Sequence, residues 1–191
     1  MKEYEWGEQL PILKGQSVLL RALEQADVSD VLAVFADADA MGRWNPMNSI
    51  ADAEAFIQKA DLGFARRQRF RWGIADKGTN RIIGSCALFF VDIDRCRGEI
   101  GFALAPSRWG QGIASDAVAT MINFIFQTVG LHRLEAFTRP ENARSSRLLE
   151  RLGFQKEGYL RQRYRVDGAA VNAVVYGLLA PEWADGATLR G

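Results

Sequence analysis

At 191 residues the chain is long enough to fill one well-packed core, and its 48% hydrophobic and 25% charged residues are ordinary for a globular domain. A formal net charge of +1 supplies no long-range field to draw nucleic acid or an anionic membrane, so neither is expected as a partner. The cysteines, Cys86 and Cys96, form no CxxC pair, and with His132 as the only histidine they can assemble neither a common zinc site nor a disulfide framework.

Residues 1–15 mix charges with Trp6, Pro11 and Gly15 and are expected to form an irregular arm. No apolar h-region of a signal peptide is present there, and the longest apolar run, 86–91, is far too short to span a bilayer. The expectation is a cytoplasmic protein. Residues 17–22 read as a short β-rich strand, and Val28, Val31, Leu32 and Phe35 repeat at helical spacing over 27–37. A loop over 42–49 contains Pro46, and Asn48 or Ser49 can cap the helix expected over 52–68, which carries Phe56, Ile57, Ala60 and Phe64 on one face.

Two strands over 70–75 and 81–91, joined by the polar, glycine-bearing turn 76–80, give a hairpin signal, and a further strand covers 98–104. A long helix follows it. After that helix come a strand over 131–138, a helix over 142–152 ended by Gly153, and two strands over 154–166 and 170–179 paired through Asp167-Gly168. The arginines at 66, 67, 69 and 71, and at 161, 163 and 165, are interleaved with apolar residues and read as a solvated helix face or strand edge. An antiparallel half thus meets a βαβ-like half. The order predicts one α+β domain over 16–181 with a tail over 182–191, the strands at 98–104 and 131–138 being parallel neighbours.

The stretch 99–129 is the most informative. Ala114, Ala117, Val118, Met121, Ile122, Ile125, Phe126 and Val129 make one apolar helical stripe. The turn ahead of it, Trp109-Gly110-Gln111-Gly112-Ile113-Ala114, gathers bare backbone N–H groups at a helix start, an anion site suited to phosphate. The plainer alternative is a helix start with two flexible glycines. Other nucleotide and hydrolase signatures are missing. Only Gly110 and Gly112 of a GxGxxG pattern are present, and there is neither a Gly-Lys-Ser/Thr loop nor a Gly-x-Ser-x-Gly elbow.

Taken together, EIGFALAPSRWGQGIASDA, the Asn142-x-x-Ser145 helix start and Leu152-Gly153-Phe154 resemble the GNAT acyl-CoA N-acetyltransferases, in particular the RimJ/RimL-like branch that acts on ribosomal proteins. The resemblance covers roughly residues 18–179. It implies the GNAT fold, an α/β sandwich with a mixed, mostly antiparallel sheet of about seven strands and about four helices. It also implies acetyl-CoA as donor, with CoA as product.

The family's pyrophosphate loop, Gln/Arg-x-x-Gly-x-Gly/Ala, falls on Trp109-x-x-Gly112-x-Ala114, with Trp109 in place of the usual Gln or Arg. Gly110, Gln111, Gly112, Ile113, Ala114 and Ser115 would hold the phosphates through backbone N–H groups, while the Trp109 indole packs under the loop. The backbone of Phe102, Ala103 and Leu104 would pair with the pantetheine arm and polarise the thioester carbonyl. By the same resemblance Asn142 touches that arm, although it is equally placed as a helix N-cap. Ser145 would give a proton to the departing thiolate, with Tyr159 and Tyr164 as alternatives.

Glu99 is the candidate base, directly or through water; alternatively it is a strand-edge carboxylate paired with an arginine. Trp44 and Asn45, Tyr164 and Asn172, and Trp72 are the candidate acceptor wall. Relatives often carry acids where this chain has Arg163-Tyr164-Arg165 and Asn172, so acceptor identity does not carry over. The expected activity is acetylation of a peptide or protein α-amine or of a small amine, by a monomer or homodimer. The rival expectation is a non-catalytic acyl-CoA sensor on the same fold.

Overall fold

The computed structural model describes residues 4–37 and 46–183. Its strands are β1 (Leu13–Lys14), β2 (Val18–Arg21), β3 (Arg69–Asp76), β4 (Ile82–Asp92), β5 (Arg97–Leu104), β6 (Arg133–Thr138), β7 (Gln155–Val166) and β8 (Ala169–Leu179). The α-helices among the described residues are α1 (Val28–Phe35), α2 (Ile50–Ala65), α3 (Ile113–Phe124) and α4 (Ala143–Arg151). All the strands join one sheet in the order β1-β2-β3-β4-β5-β6-β8-β7. Every neighbouring pair is antiparallel except β5 and β6, which run parallel as their connection through α3 requires. None of these helices is long and apolar enough to cross a membrane.

The sheet is covered on both faces. On one, Phe70, Trp72, Leu88, Ile100 and Leu134 pack against Met121, Ile122, Ile125 and Leu149 from the α3 and α4 side. On the other, a smaller cluster joins Val31 and Phe35 of α1, Ile57 of α2, and Ala75 and Ile82. Strand alternation assigns the faces. In β3 Phe70 and Trp72 are buried on the α3 side, and Arg69 and Arg71 therefore stand on the α1–α2 side.

Local chemistry places most of the boundaries. Ser49 is the N-cap of α2, accepting from Asp52 N at 3.1 Å. Asp167 and Gly168 both have positive φ, +49° and +78°, the geometry that closes a two-residue hairpin between Val166 and Ala169. Gly153, at φ +90°, ends α4, with Phe154 N returning to Leu149 O at 3.0 Å.

Two expectations change. The arm before residue 16 is not free of regular structure, because β1 pairs with β2 and adds an eighth strand to the sheet. It is also fastened by its aromatics: the Trp6 ring stacks on Phe70 at 3.6 Å, and Arg67 Nη2 donates to the Trp6 and Gly7 carbonyls at 2.8 and 2.9 Å. The helix after the glycine turn does not stay α-helical to its end. It continues as a π-helical turn, Ile125–Val129, closed by Gly130 at φ +81°. Ile125, Phe126 and Val129 remain buried through that change.

Candidate active site

The site is built where β5 parts from β6. Their parallel rungs run from Arg97↔Arg133 to Ile100↔Ala136 and stop. Beyond that point β5 stays with β4 as far as Leu104↔Gly84, while β6 follows β8 as far as Thr138↔Val174. The β6-facing backbone groups of residues 101–104 consequently open into a cleft instead of a ladder. A cavity of about 770 Å³ occupies it, lined by Glu99, Phe102, Ala103 and Leu104 along β5 and by Phe137, Thr138 and Arg139 opposite.

At one end the turn between β5 and α3 closes the cavity. Gly110 and Gly112 both sit at φ +76°, a region that costs any residue with a Cβ, and a Cβ on either would meet nothing within 4 Å. Gly112 is the N-cap of α3 and offers no side chain, so the first-turn N–H groups receive no capping oxygen from it. The acid in that turn, Asp116, points away. Burial alone would raise its carboxyl, but N–H donation from Ser17 and Gln16, at 2.6 and 2.9 Å, outweighs burial and holds it below the usual carboxylate range. The first-turn N–H groups of α3 thus receive no capping oxygen from Gly112, and the Asp116 carboxylate is engaged elsewhere.

Trp109 fastens this turn. Its indole N–H donates to the Leu104 carbonyl at 2.8 Å, and the Arg144 guanidinium lies 3.5 Å from its ring. Asn142 caps α4, its Oδ1 accepting from Ser145 N at 3.0 Å, so the capping role is realised. Arg139 Nε is buried without a hydrogen-bond partner. Among the described residues the cavity wall carries Arg69, Arg71, Arg139, Arg144 and Arg163 against the single acid Glu99. A wall with that imbalance holds anions. The exposed glycine turn, the unladdered β5 backbone and the orphaned Arg139 Nε together fit the acetyl-CoA that the sequence resemblance implies.

Most of the expected donor residues converge here. Phe102, Ala103, Leu104, Trp109, Ala114, Asn142 and Ser145 all line the cavity, as do Glu99 and Tyr164. Gly110, Gln111 and Gly112 form the exposed turn between Trp109 and Ala114, while Ile113 and Ser115 are buried and can offer only backbone. The Gln111 amide is turned back onto the Ser107 carbonyl at 3.1 Å. Cys86 is buried, which pushes its thiol up to about 12, so it is no nucleophile near neutral pH.

The acceptor wall is corrected. Trp72 is fully buried on the opposite face, its indole N–H donating to the Pro11 carbonyl at 2.8 Å, and it cannot meet an acceptor. Asn172 does not line the cavity. Its Oδ1 accepts from Gln162 N at 2.8 Å, where Gln162 has φ +52° and the β7–β8 register shifts, so it pins the irregularity that precedes Tyr164. Tyr159 is 51% exposed and lies in a separate open groove, which removes it as an alternative acid. Trp44 and Asn45 lie outside the described residues.

The arginines at 69 and 71 are also not a solvated strand edge. Both line the cavity, and burial, with the Arg69 charge adding, pushes the Arg71 guanidinium down to about 10. Sequence reasoning passed over Arg71, Arg139, Arg144, Phe56 and Phe89. Period-two alternation in 69–72 was a usable signal for Arg71, and Arg139 and Arg144 flank the Asn142 motif itself. Phe56 carries no such mark, since it sits in an ordinary apolar helix face.

Comparison with known proteins agrees with the geometry. The family model described as "Acetyltransferase (GNAT) domain" matches residues 17–155. An uncharacterized N-acetyltransferase, p20, of Bacillus licheniformis is 33% identical over 171 residues, covering 88% of this chain and 96% of its own length. The [ribosomal protein uS5]-alanine N-acetyltransferase of Escherichia coli is 32% identical over 153 residues, covering 75% of this chain and 77% of its own length. In fold, RimJ of Mycobacterium smegmatis, solved in complex with CoA-disulfide, superposes with a TM-score of 0.84 at 24% identity, covering 94% of this chain and 92% of that one.

Proposed function

This chain belongs to the GNAT N-acetyltransferase family, whose donor is acetyl-CoA, and from that premise we propose that it acetylates a primary amine by direct attack on the thioester. The observation that carries the reading is the single cavity in which the parted β5 backbone, Glu99 and Ser145 meet beside the Gly110–Gly112 turn.

Acetyl-CoA supplies an acyl carbon already activated by a sulfur leaving group. The chain has then to orient it, neutralise the amine and settle two protons. First-turn N–H groups of α3, with Arg139 and Arg144 nearby, bind the phosphates. A backbone N–H within Phe102–Leu104 polarises the carbonyl, an interaction whose removal in related chemistry costs about 2.7–4 kcal/mol. Glu99 takes the proton from the attacking amine, directly or through water, and the Ser145 hydroxyl gives one to the departing sulfur. Tyr164, on the same wall, is the alternative donor.

The base needs little strength for one acceptor class. An α-amine of pKa about 7.7–8.0 costs about 1–1.4 kcal/mol to neutralise at pH 7, against roughly 4–5 kcal/mol for a lysine side chain near 10.4. A buried glutamate suits the former. The uS5-alanine enzyme among the relatives acts on an alanine amine, and we extend an α-amine acceptor to this chain.

The test is thiol release from acetyl-CoA across a panel of peptides, amino acids and small amines. Release that depends on an amine, with a matching N-acetylated product, supports the proposal. Tight CoA binding with no release for any acceptor would instead indicate a sensor.

A further inference from the structure

Arg71 presents a problem that the donor chemistry does not solve. It stands on β3, and β4 alone lies between β3 and β5, so the two are two strand spacings apart, roughly 10 Å at about 4.8 Å each. That distance places it off the channel where β5 and β6 part. Its guanidinium lies 4.5 Å from the Phe56 ring of α2 and 5.3 Å from the Phe89 ring, and Nη1 donates to Ser85 Oγ at 3.0 Å. Among the described residues no ion pair reaches it, and its charged neighbour is another cation, Arg69.

A half-buried guanidinium stacked against two aromatic rings, with another cation as its charged neighbour, is suited to take an anion. Ser85 Oγ accepts from one of its five N–H groups, and the side chain lines the cavity. Arg71 is directly opposite Ala87, and Ala87 is opposite Gly101, so the row leading from Arg71 to β5 carries the two smallest side chains. The Phe89 ring covers that row: Ala87 is buried, and a Cβ at Gly101 would come within 2.9 Å of the ring, so only a residue without a side chain fits beneath it.

We propose that Arg71, backed by Ser85 and plated by Phe56 and Phe89, is a carboxylate-recognition subsite for the acceptor, so that the substrates of this enzyme are amines that also carry a carboxylate. The subsite rests on the N-acetyltransferase reading for the word acceptor. Its physical basis, an anion pairing with a half-buried guanidinium, is independent of turnover. The carboxylate is either the main-chain group of a free amino acid or an acidic side chain close to a peptide's amine. Arg is suited to either, because its planar fork matches a carboxylate through two parallel bonds.

The experiment titrates four product-like probes into the protein saturated with CoA. They are N-acetyl-leucine against N-acetyl-leucinamide, and N-acetyl-glutamyl amide against N-acetyl-glutaminyl amide. In the wild-type protein, one acid is expected to bind at least about tenfold tighter than its uncharged counterpart, the range for hydrogen bonds to a charged group. The first pair reports a main-chain carboxylate and the second a side-chain carboxylate. R71M should erase the preference, R71K should keep part of it, and acetyl-CoA affinity, which reads the donor side, should stay within about twofold. Equal affinity within both pairs, no detectable binding of any probe, or a preference that persists in folded R71M would overturn the subsite. Failure of the acetyltransferase reading shows differently, as absent acetyl-CoA binding or absent thiol release. Since the wild-type comparison needs no variant, a poorly folding R71M leaves the test intact.

Discussion

The Trp109 indole N–H donates to the Leu104 carbonyl at 2.8 Å, tying the turn that opens α3 to the last residue of the strand that forms the cavity floor. The proposed phosphate and thioester ends of the donor site are thereby held at one spacing. Trp109→Phe keeps a ring for Arg144 and removes the donor. The loss should cost about 1 kcal/mol, lowering Tm by roughly 2–4 °C, and should weaken acetyl-CoA several-fold. A thermal melt and a calorimetric titration read the two effects. A melting change with unaltered affinity would mean that the turn needs no anchor.

Gly112 allows charge to be separated from strain. Asn and Asp both tolerate φ near +76° better than other residues, and either offers a capping oxygen that offsets part of the cost. Both variants should therefore melt within about 1 kcal/mol of the parent. Only Gly112→Asp places a negative charge at the proposed phosphate site, and it should lose at least tenfold more acetyl-CoA affinity than Gly112→Asn. Equal affinities would remove the anion from the helix start.

Ser145 and Asn142 share one turn and should separate cleanly. Ser145→Ala leaves its backbone N–H on the Asn142 cap, so stability and acetyl-CoA affinity should hold while turnover falls about a hundredfold. Asn142→Ala removes the cap and should cost about 1 kcal/mol in the melt. A wild-type rate for Ser145→Ala would transfer the proton-donor role to Tyr164.

Asp30 gives a pH prediction. Hydrogen bonding from Arg81 holds its carboxyl below the usual range, against the opposing effect of burial and with help from Ile82 N at 3.1 Å. A folded-state pKa below the unfolded value means that the stabilisation is present above about pH 3.9 and is lost as pH falls through the lower folded value. The wild-type melting temperature should decline on acidification below about pH 4, and Asp30→Asn should start lower at neutral pH and decline less. Parallel pH curves for the two proteins would assign the acid sensitivity elsewhere.

The legibility of each feature follows from its range in sequence. Capping by Ser49, the αL end at Gly153 and the Asp167-Gly168 turn are decided by residues within a few positions, and each stands where local chemistry places it. The donor motif is equally local: a strand, a glycine turn and a helix start are consecutive. The short strand β1 was not legible, because a two-residue strand carries no period and exists only through its partner β2.

The proposed acceptor side depends on partners distant in sequence. Trp72 and Arg71 are adjacent on a strand, yet the sheet sends one to the α3 core and the other into the cavity, where Phe56 and Phe89 pack around Arg71. The sequence by itself determined the family, the donor and the order of elements, since these rest on contiguous residues. The tertiary structure alone decided which side of the sheet lines the cavity and which arginine stands between Phe56 and Phe89 there. Burial and charge pairing are properties of strands brought together, and no single segment holds them.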